Sequence, residues 1–337
     1  MRAVVLVGGF GTRLRPLTLT TPKQMLPVAG RPMIEDVLEH LARHGIDEVV
    51  LSLGYKPDAF LAAYPDATCA GVRLVYAVEP EPLDTAGAIA FAARHAGIEE
   101  RFVVVNGDVL TDLDLTALVA FHDRAGAEGT IALTKVDDPS QFGVVPTDAD
   151  GRVLAFVEKP PRDEAPTDLI NAGFYVLEPS FLARVPAGRK VNIERETFPA
   201  MVAEETLFAR SDPAYWLDVG TPERLLQASL DVLAGVRASA PVEGALVCGS
   251  GTVDAGAIVA HAVVGDGAHV HAGARVEESV LLPGAVVEIG AVVRRSIVGA
   301  NAVVTSGSSV LDLTVLGDGV RTTPGETLTG ARVPEPE

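Results

Sequence analysis

Short apolar runs alternate with amphipathic segments through the first hundred residues. Runs rich in valine and leucine predict buried strands, and they lie at 3–7, 48–53, 72–77 and 101–105. Apolar residues at helical spacing predict helices between these strands, at 32–44, 58–63 and 85–96. Strands that alternate with helices predict a mostly parallel sheet covered on both faces. The fold class we expect for this part of the chain is α/β, with a Rossmann-like mixed sheet.

The pattern changes after residue 130. Short β-type runs predict an antiparallel addition to the sheet, and they lie at 131–136, 143–146, 153–158 and 172–177. Helical patterns return at 197–204 and 222–233. The following segment, 233–244, is small, polar and proline-bearing, which is typical of a domain boundary. We therefore expect two domains, at 1–235 and 243–332.

The last hundred residues carry a six-residue repeat of apolar positions separated by glycines. One frame contains Ile258, Val264, Val270, Val276 and Leu282, and the second contains Val280, Val286, Val292, Val298, Val304, Val310 and Leu316. A repeat of one strand and one turn predicts a left-handed parallel β-helix, whose successive coils stack their apolar rows. The shift of frame near Glu277 predicts an offset there. A β-sandwich with valines at this spacing is the alternative.

Composition limits the class of protein. The 337 residues include 45 acidic and 27 basic side chains, a formal net charge of -18, which disfavours nucleic acid as a partner. The apolar run at the amino terminus is too short for a signal-peptide core, and no apolar run is long enough to span a membrane. Cys69 and Cys248 provide no disulfide framework and no Cys-x-x-Cys metal site. We expect a cytoplasmic protein with no membrane partner.

The first strand leads into a glycine-rich loop that is basic although the chain is acidic. No acidic residue precedes Glu35, whereas five cations do: Arg2, Arg13, Arg15, Lys23 and Arg31. Glycines let backbone N–H groups approach an anion closely, because no Cβ stands in the way. The loop therefore predicts a site for a small polyanion. The alternative is a tight turn with arginines on the surface.

The loop sequence matches neither the P-loop nor the G-x-G-x-x-G pattern. Residues 8–18 read GGFGTRLRPLT and are followed by Pro22-Lys23. This resembles the GG-x-GTRL-x-P-x-T…PK signature of the nucleotide-sugar pyrophosphorylases, also called sugar-1-phosphate nucleotidyltransferases. The resemblance implies that a nucleoside triphosphate and a sugar 1-phosphate react to give an NDP-sugar and pyrophosphate, with domain 1–235 catalytic. The implied nucleotide-binding residues are Leu6, Gly8, Gly9, Gly11, Thr12, Arg13, Lys23, Glu79, Thr85, Ala86, Gly87 and Asp108.

Two aspartates are candidate metal ligands. Asp108 follows a β-branched strand directly, and Asp218 lies between apolar residues, where a carboxylate needs a partner. A plain turn is the alternative at Asp108. Residues 216–222 match the family's W-x-D-x-G-T-P motif, and residues 106–108 match its metal-binding GD position. By this resemblance Asp108 and Asp218 hold a catalytic Mg²⁺, and with Arg13 and Lys23 they form the catalytic set.

A second group of residues is expected to bind the sugar phosphate. Glu158-Lys159-Pro160 matches a family motif that implies Glu158 on sugar hydroxyls and Lys159 on the sugar phosphate. Asn171 and Gly173 resemble the sugar-contacting N-x-G, and Gly143 lies in a segment similar to YGVV. Adjacent side chains on a strand point to opposite faces, so Glu158 and Lys159 should diverge. An ion pair on an edge strand is the alternative interpretation of Glu158 and Lys159.

Two segments bear on the choice of substrates. Residues 83–87 read LDTAG where the family commonly has LGTAG, and members acting on dTTP often carry Gln where Gly87 stands here. Residues 192–199 resemble the SIE-x-E-x-FP segment of the mannose-1-phosphate guanylyltransferase branch. The resemblance therefore implies GTP and mannose 1-phosphate. UTP or dTTP with glucose 1-phosphate, and a non-catalytic relative that senses nucleotide sugars, are the alternatives.

The histidines suggest an acyltransferase as a further alternative function. No metal-ligand spacing of histidines occurs on a predicted helix, but His261, His269 and His271 lie in the repeat region. Acyltransferases with hexapeptide repeats use such a histidine as general base. The favoured interpretation is that these three are surface residues of the coils. By family analogy the β-helix serves assembly or regulation, and we expect a homo-oligomer.

Overall fold

The computed structural model describes residues 1–237 and 241–335, so residues 238–240 of the predicted boundary segment lie outside the described residues. Contacts group the chain into two compact units. Unit 1 is Met1–Gly9 with Glu35–Trp216, and unit 2 is Phe10–Ile34 with Leu217–Glu337. The predicted domains, 1–235 and 243–332, divide the chain by sequence rather than by contact, and they stay a prediction.

The strands up to residue 218 are β1 (Arg2–Leu6), β2 (Pro27–Val28), β3 (Arg31–Pro32), β4 (Glu48–Leu53), β5 (Thr68–Cys69), β6 (Val72–Val78), β7 (Phe102–Asn106), β8 (Val109–Thr111), β9 (Gly129–Lys135), β10 (Gly143–Val144), β11 (Val157–Glu158), β12 (Leu169–Leu177), β13 (Leu207–Ser211) and β14 (Trp216–Asp218). The α-helices are α1 (Met33–Arg43), α2 (Pro57–Ala63), α3 (Asp84–His95), α4 (Leu115–Ala125), α5 (Phe181–Arg184), α6 (Phe198–Ala203) and α7 (Pro222–Leu233). Short 3₁₀ helices cover Thr12–Leu14, Leu17–Leu19, Lys23–Met25, Pro139–Gln141 and Arg162–Glu164, and a π-helix covers Ile193–Thr197. Among the described residues, no helix is both long and apolar enough to cross a membrane.

Unit 1 is built on a mixed sheet in the order β11-β10-β12-β7-β1-β4-β6-β5, with β9 beside β12 and β13 beside β9. The middle strands β7, β1, β4 and β6 run parallel, whereas β12 is antiparallel to β7 and β9. Val4 pairs in register with Val50 and Val104, and all three are fully buried. The predicted mixed sheet is confirmed, including the antiparallel addition after residue 130.

Two elements of unit 1 differ from the sequence pattern. Helix α4 was not predicted, because the buried polar side chain of His122 interrupts the apolar spacing of the helix. Asp114 caps the amino terminus of this helix, where its side chain accepts a hydrogen bond from the Ala117 N–H. The predicted strand 153–158 is shorter in the structure. Only β11 is regular, while Val153 makes an isolated bridge to Thr147.

The strands after residue 241 belong to unit 2 and form coils. They are β15 (Ala245–Val247), β16 (Thr252–Val253), β17 (Ile258–Ala260), β18 (Ala262–Val264), β19 (His269–Val270), β20 (Arg275–Glu277), β21 (Val280–Leu281), β22 (Val286–Val287), β23 (Val292–Arg294), β24 (Ile297–Val298), β25 (Val303–Val304), β26 (Ser309–Leu311), β27 (Val315–Leu316), β28 (Thr327–Thr329) and β29 (Arg332–Val333). Within the described range 241–335 they make three parallel sheets. The predicted β-helix is confirmed, and the sandwich alternative is wrong.

The coil length corrects the predicted apolar rows. Thr252 pairs with His269 and His269 with Val286, so one coil takes 17 residues rather than 18. The missing residue lies at a corner where Glu278 and Arg295 have φ values of 46°. Because strand side chains alternate, one residue fewer moves the buried row from the predicted Val286 to Val287.

Most of both predicted frames is confirmed, because Val264, Val270 and Val276 of the first frame are fully buried, and the second frame fails only at Val286 and Val292. The fully buried rows in one coil are Leu281, Val287 and Val293, and in the next Val298, Val304 and Val310. Only the second of these coils keeps the predicted frame. Ile258, predicted to face inward, is 47% exposed.

Candidate functional site

The predicted site residues fall in both units. Unit 1 contains Leu6, Gly8, Gly9, Glu79, Thr85, Ala86, Gly87, Asp108, Gly143, Glu158, Lys159, Asn171 and Gly173, and unit 2 contains Gly11, Thr12, Arg13, Lys23 and Asp218.

Asp108 lies at the carboxyl edge of the parallel strands. The Gly107 N–H donates to the Leu6 carbonyl (3.0 Å), and Leu6 pairs in register with Asn106. A Cβ at Gly107 would lie 2.8 Å from Val7 Cγ1, so only glycine lets the ends of β1 and β7 approach this closely. The start of the glycine loop and Asp108 therefore share one sheet edge, as the topology predicted.

Glu79 lies beside the first glycine of the loop. A Cβ built on Gly8 would lie 3.4 Å from Glu79 Oε1. Glu79 accepts hydrogen bonds from Ser52 Oγ (3.1 Å) and from the Leu83 N–H (3.0 Å). Burial raises the pKa of the Glu79 carboxyl, and these two hydrogen bonds oppose that rise. The two hydrogen bonds thus hold the Glu79 carboxylate beside Gly8.

The LDTAG segment keeps its turn although aspartate replaces glycine. Asp84 has φ 61°, in the left-handed region that glycine usually occupies. Its Oδ1 accepts from the Thr85 N–H (2.8 Å) and from Asn192 Nδ2 (3.0 Å). These hydrogen bonds support the conformation, because aspartate is among the few residues that reach it at modest cost.

Thr85, Ala86 and Gly87 contact the chain around Val191. The Ala86 and Gly87 N–H groups donate to the Val191 carbonyl (3.0 and 3.1 Å). A Cβ at Gly87 would lie 2.9 Å from the Arg189 carbonyl oxygen. This packing is a sufficient reason for glycine here, and the link between Gly87 and guanine stays a prediction.

Glu158 and Lys159 do not point to opposite faces, so that sequence prediction is wrong. Lys159 has φ 48°, which ends β11 and turns its side chain back. Lys159 Nζ then lies 3.2 Å from Glu158 Oε1. A Cβ at Gly143 would meet the Phe156 ring at 2.5 Å and Glu158 Oε2 at 3.3 Å, so the YGVV-like glycine lies directly against this pair.

Asn171 and Gly173 form a bulge where the β12–β9 register shifts. Asn171 Oδ1 accepts the Gly173 N–H (2.9 Å), and its Nδ2 donates to the Tyr175 hydroxyl (2.9 Å). Gly173 has φ 76°, and a Cβ there would lie 2.7 Å from Asn106 Nδ2. Glycine is thus required twice over, by backbone conformation and by the close approach of Asn106.

The surroundings of buried Tyr175 identify Glu194 as a further residue near the predicted sugar-binding residues. Its pKa is raised by burial and by three nearby carboxylates, those of Glu194, Glu158 and Asp108. Thr85 Oγ1 donates to Glu194 Oε2 (3.1 Å), and burial raises the Glu194 pKa. Sequence reasoning placed Glu194 in a family motif and assigned no role to it. Its contact with Thr85 and its proximity to Glu158 make it a candidate substrate contact.

Trp216 also contacts the predicted sugar-binding residues, although sequence reasoning used it only as the first residue of the W-x-D-x-G-T-P motif. Its indole Nε1–H donates to the Ala172 carbonyl (2.9 Å), within the N-x-G bulge. Its ring packs edge-on against Phe142 at 5.5 Å, next to Gly143. Trp216 therefore braces two of the predicted sugar-binding segments.

In unit 2 the glycine loop winds into short 3₁₀ helices fixed by buried Leu14 and Leu17. A Cβ at Gly11 would lie 3.2 Å from Lys23 Cβ, and Thr18 Oγ1 donates to the Gly11 carbonyl (2.8 Å). The signature glycine and the signature lysine are therefore neighbours. Gly9, Thr12 and Arg13 are exposed, so they are accessible to a ligand.

Arg13 and Asp218 meet at Gly220. Arg13 Nη2 lies 2.5 Å and Asp218 Oδ1 lies 2.9 Å from the position that a Cβ on Gly220 would occupy. Any side chain at Gly220 would displace the guanidinium. The GTRL arginine and the W-x-D-x-G-T-P carboxylate, distant in sequence, are therefore adjacent, and Asp218 Oδ1 is buried.

The β-helix contacts the same loop within unit 2. Arg332 Nη1 donates to the Arg13 carbonyl (3.0 Å) and to the Arg15 carbonyl (3.4 Å). Thr20 Oγ1 also donates to the Asp318 carboxylate. Nothing in the local sequence around Arg332 predicts this contact, because its partners lie at the other end of the chain.

The comparisons with known proteins agree with these motifs. A nucleotidyl transferase family model matches residues 2–235, and a model described as the GMPPB C-terminal domain matches residues 242–336. A mannose-1-phosphate guanylyltransferase of Mycobacterium tuberculosis is 45% identical over 244 residues, which cover 72% of this chain and 67% of that protein. A mannose-1-phosphate guanyltransferase of Hypocrea jecorina is 43% identical over 235 residues, 68% of this chain and 63% of that protein. The match thus spans about two thirds of each relative.

Solved structures give the same assignment. HddC from Yersinia pseudotuberculosis, in complex with GMP-PN, is 29% identical with a TM-score of 0.58 and covers 68% of this chain and 97% of its own. A putative glucose-1-phosphate thymidylyltransferase from Bacillus anthracis is 25% identical with a TM-score of 0.60, covering 68% of this chain and 94% of its own. The chain therefore belongs to the nucleotidyl transferase family.

Proposed function

We propose that the chain transfers the guanylyl group of GTP to mannose 1-phosphate, giving GDP-mannose and pyrophosphate. The names of the similar proteins from Mycobacterium tuberculosis and Hypocrea jecorina support this pair of substrates. The GMP-PN complex of HddC adds support for a guanine nucleotide.

The observation that carries the proposal is the meeting of Arg13 and Asp218 over Gly220. A guanidinium binds phosphate oxygens, and a buried carboxylate oxygen is a ligand that Mg²⁺ prefers. Placing the two side by side creates a local environment suited to a metal-bound triphosphate. A tight turn with surface arginines, the alternative from sequence, does not require the glycine at 220.

The reaction needs no protein nucleophile. An oxygen of the sugar phosphate attacks the α-phosphorus in line, and pyrophosphate leaves, so the protein has to position two anions and neutralise their charge. We assign Arg13 to the β- and γ-phosphates and Lys23 to the α-phosphate. Backbone N–H groups at residues 8–11 add further donors.

The expected metal is Mg²⁺. Asp108 and Asp218 are hard oxygen donors, and the buried Asp218 Oδ1 beside Arg13 fits such an ion. When bound, Mg²⁺ supplies charge neutralisation at the phosphates that react. The role of the two aspartates is to fix its position relative to the cations of the loop.

The sugar phosphate is assigned to the group around the bulge. Lys159 is assigned to its phosphate, and Glu158, Asn171 and Gly173 to its hydroxyls. The ion pair of Lys159 with Glu158 keeps the lysine close to the sugar-binding carboxylate. Glu79, Thr85, Ala86 and Gly87 are assigned to the nucleotide base. We also infer a cytoplasmic location, because Cys69 and Cys248 form no disulfide framework, and a homo-oligomer, by family analogy for the β-helix.

A panel of nucleoside triphosphates and sugar 1-phosphates, read by pyrophosphate release with Mg²⁺, tests the proposal. GTP with mannose 1-phosphate should give the highest kcat/KM. Higher values for UTP or dTTP with glucose 1-phosphate would overturn the substrate assignment but retain the reaction. No turnover with any pair, together with tight binding of a nucleotide sugar, would indicate a sensing relative instead.

Lys23→Ala tests the loop assignment in the same assay. We expect it to lose most turnover while remaining folded, because the α-phosphate loses its cation. Lys135→Ala is the matched control, since Lys135 is 74% exposed and forms a surface ion pair with Asp168. Near-normal turnover of Lys23→Ala would contradict its role.

A further inference from the structure

Two histidines and an aspartate converge on the outside of the β-helix, in residues that the proposed reaction does not use. His269 begins β19 and His271 follows that strand directly, and the rings of the two side chains lie side by side. Asp254 occupies the preceding coil, where its N–H donates to the Val270 carbonyl (2.9 Å). The stacking of coils therefore places the aspartate next to both histidines.

The ligand atoms of this cluster are close together. His269 Nε2 lies 2.9 Å from Asp254 Oδ1, and His271 Nδ1 lies 3.5 Å from Asp254 Oδ2. The two imidazole rings stack with centroids 4.0 Å apart. One donor atom from each residue lies within 4.8 Å of the others. Donors around tetrahedral zinc are separated by about 3.3 Å, so small side-chain rotations would complete the geometry.

We propose that Asp254, His269 and His271 bind a divalent transition-metal ion of the zinc type. Two neutral imidazoles and one carboxylate form a ligand set that Zn²⁺ favours over the hard cation Mg²⁺. The three side chains are 34% to 40% exposed, so an ion can enter and a water molecule can take the fourth position.

A simple ion pair does not account for the whole cluster. The two oxygens of the Asp254 carboxylate face different imidazole rings, Oδ1 that of His269 and Oδ2 that of His271. A divalent cation satisfies both rings and the carboxylate together.

The site would join two successive coils. Asp254 follows β16, whereas His269 begins β19 and His271 follows it, and the two strands pair in register at Thr252–His269 and Val253–Val270. Val253 at this first coil is 38% exposed, which marks a coil with little apolar cover. A bound ion would add a side-chain link where the β-helix begins, and it would stabilise the folded state by mass action.

The test uses the full chain freed of metal by chelation, in buffer with excess Mg²⁺ so that sites for hard cations are filled. Calorimetric titration with Zn²⁺ should show a site of one ion per chain that is lost in the double variant His269→Gln/His271→Gln. Asp254→Asn should weaken it by about tenfold or more. The matched control is His261→Gln, an exposed histidine of the same coils outside the cluster, which should bind as the unaltered chain does.

Thermal unfolding provides a second readout. Zn²⁺ should raise the midpoint of the unaltered chain and of His261→Gln, but not that of the double variant. Equal midpoints without zinc show that the variants fold. If the double variant does not fold, His271→Gln alone is measured. Zinc binding that is unchanged in the double variant, for example at Cys69 or Cys248, would overturn the proposal, and so would an unaltered chain that binds no zinc.

Discussion

At the scale of single residues, backbone conformation explains how Asp84 can replace the glycine that the family commonly has in the LDTAG segment. Asp84 takes the left-handed φ that the family's glycine would take, and its carboxylate holds the Thr85 N–H and Asn192. The substitution therefore keeps the turn and adds a link to the segment that carries Glu194. The base-binding role proposed for Thr85, Ala86 and Gly87 depends on this turn.

Two substitutions of Asp84 separate the contribution of its hydrogen bonds from the cost of its left-handed backbone conformation. Asp84→Gly loses the hydrogen bonds but relieves the backbone, whereas Asp84→Ala loses the hydrogen bonds and keeps an unfavourable φ. We expect the alanine variant to be about 1 kcal/mol less stable than the glycine variant. Urea unfolding of both variants measures this difference. An alanine variant as stable as the glycine variant would show that residue 84 is not held in the left-handed region.

His122 should make the fold sensitive to acid. Burial lowers its pKa, while Glu178 raises it and Arg101 lowers it further; Thr130 contacts its other nitrogen. The unfolded chain binds the proton at the ordinary pKa, so the folded state loses stability as pH falls below about 6.5.

The variant His122→Gln removes that linkage. Its urea midpoint should fall less between pH 7.5 and pH 5.5 than that of the unaltered chain. His95→Gln, at an exposed histidine, should retain the full decrease. A decrease as large in His122→Gln as in the control would show that another group is responsible.

Sequence alone could predict candidate site residues that lie in contiguous motifs. Arg13, Lys23, Asp108 and Asp218 are examples, because the spacing of each motif is itself the signal. Glu194 and Arg332 could not be assigned, since their partners, Thr85 and the Arg13 carbonyl, are distant in sequence.

At the scale of elements, the coil length decides which valines form the core. Glycine punctuation and apolar spacing predict the β-helix itself. They do not reveal the single residue dropped at the corner near Glu278, because either neighbouring valine satisfies a six-residue pattern. Alternation along the strand then places Val287 inside and leaves Val286 partly exposed.

A pair of serine variants tests this register. Val287→Ser should destabilise the chain by about 2 kcal/mol, because it removes buried apolar volume and buries a hydroxyl. Val286→Ser should change stability by less than about 0.5 kcal/mol. Chemical denaturation followed by circular dichroism compares them. The opposite order would restore the register that the sequence pattern predicted.

The contact of Arg332 with the signature loop assigns a positioning role to the last coil. Arg332→Ala should lower kcat/KM by several-fold, since two loop carbonyls lose a charged donor. Arg332→Lys should recover part of the loss. Arg321→Ala is the control, because Arg321 is 61% exposed and pairs with Glu288. Equal kinetics for Arg332→Ala and the control would show that the contact does not position the loop.

At the scale of the whole molecule, the amino-terminal loop is basic although the chain as a whole is acidic. The chain carries a net charge of -18, yet its proposed substrates are anions. The basic amino-terminal loop, the Lys159 ammonium and the proposed Mg²⁺ supply the positive charge that the rest of the chain lacks. Composition therefore disfavours nucleic acid as a partner but is compatible with a small polyanion.

The most direct test measures pyrophosphate release from GTP and mannose 1-phosphate as a function of Mg²⁺ concentration. The unaltered chain should require the ion. Asp108→Asn and Asp218→Asn should each lose about a hundredfold or more in turnover while unfolding at an unchanged temperature. Turnover that is independent of divalent ions, or folded aspartate variants as active as the unaltered chain, would contradict the account.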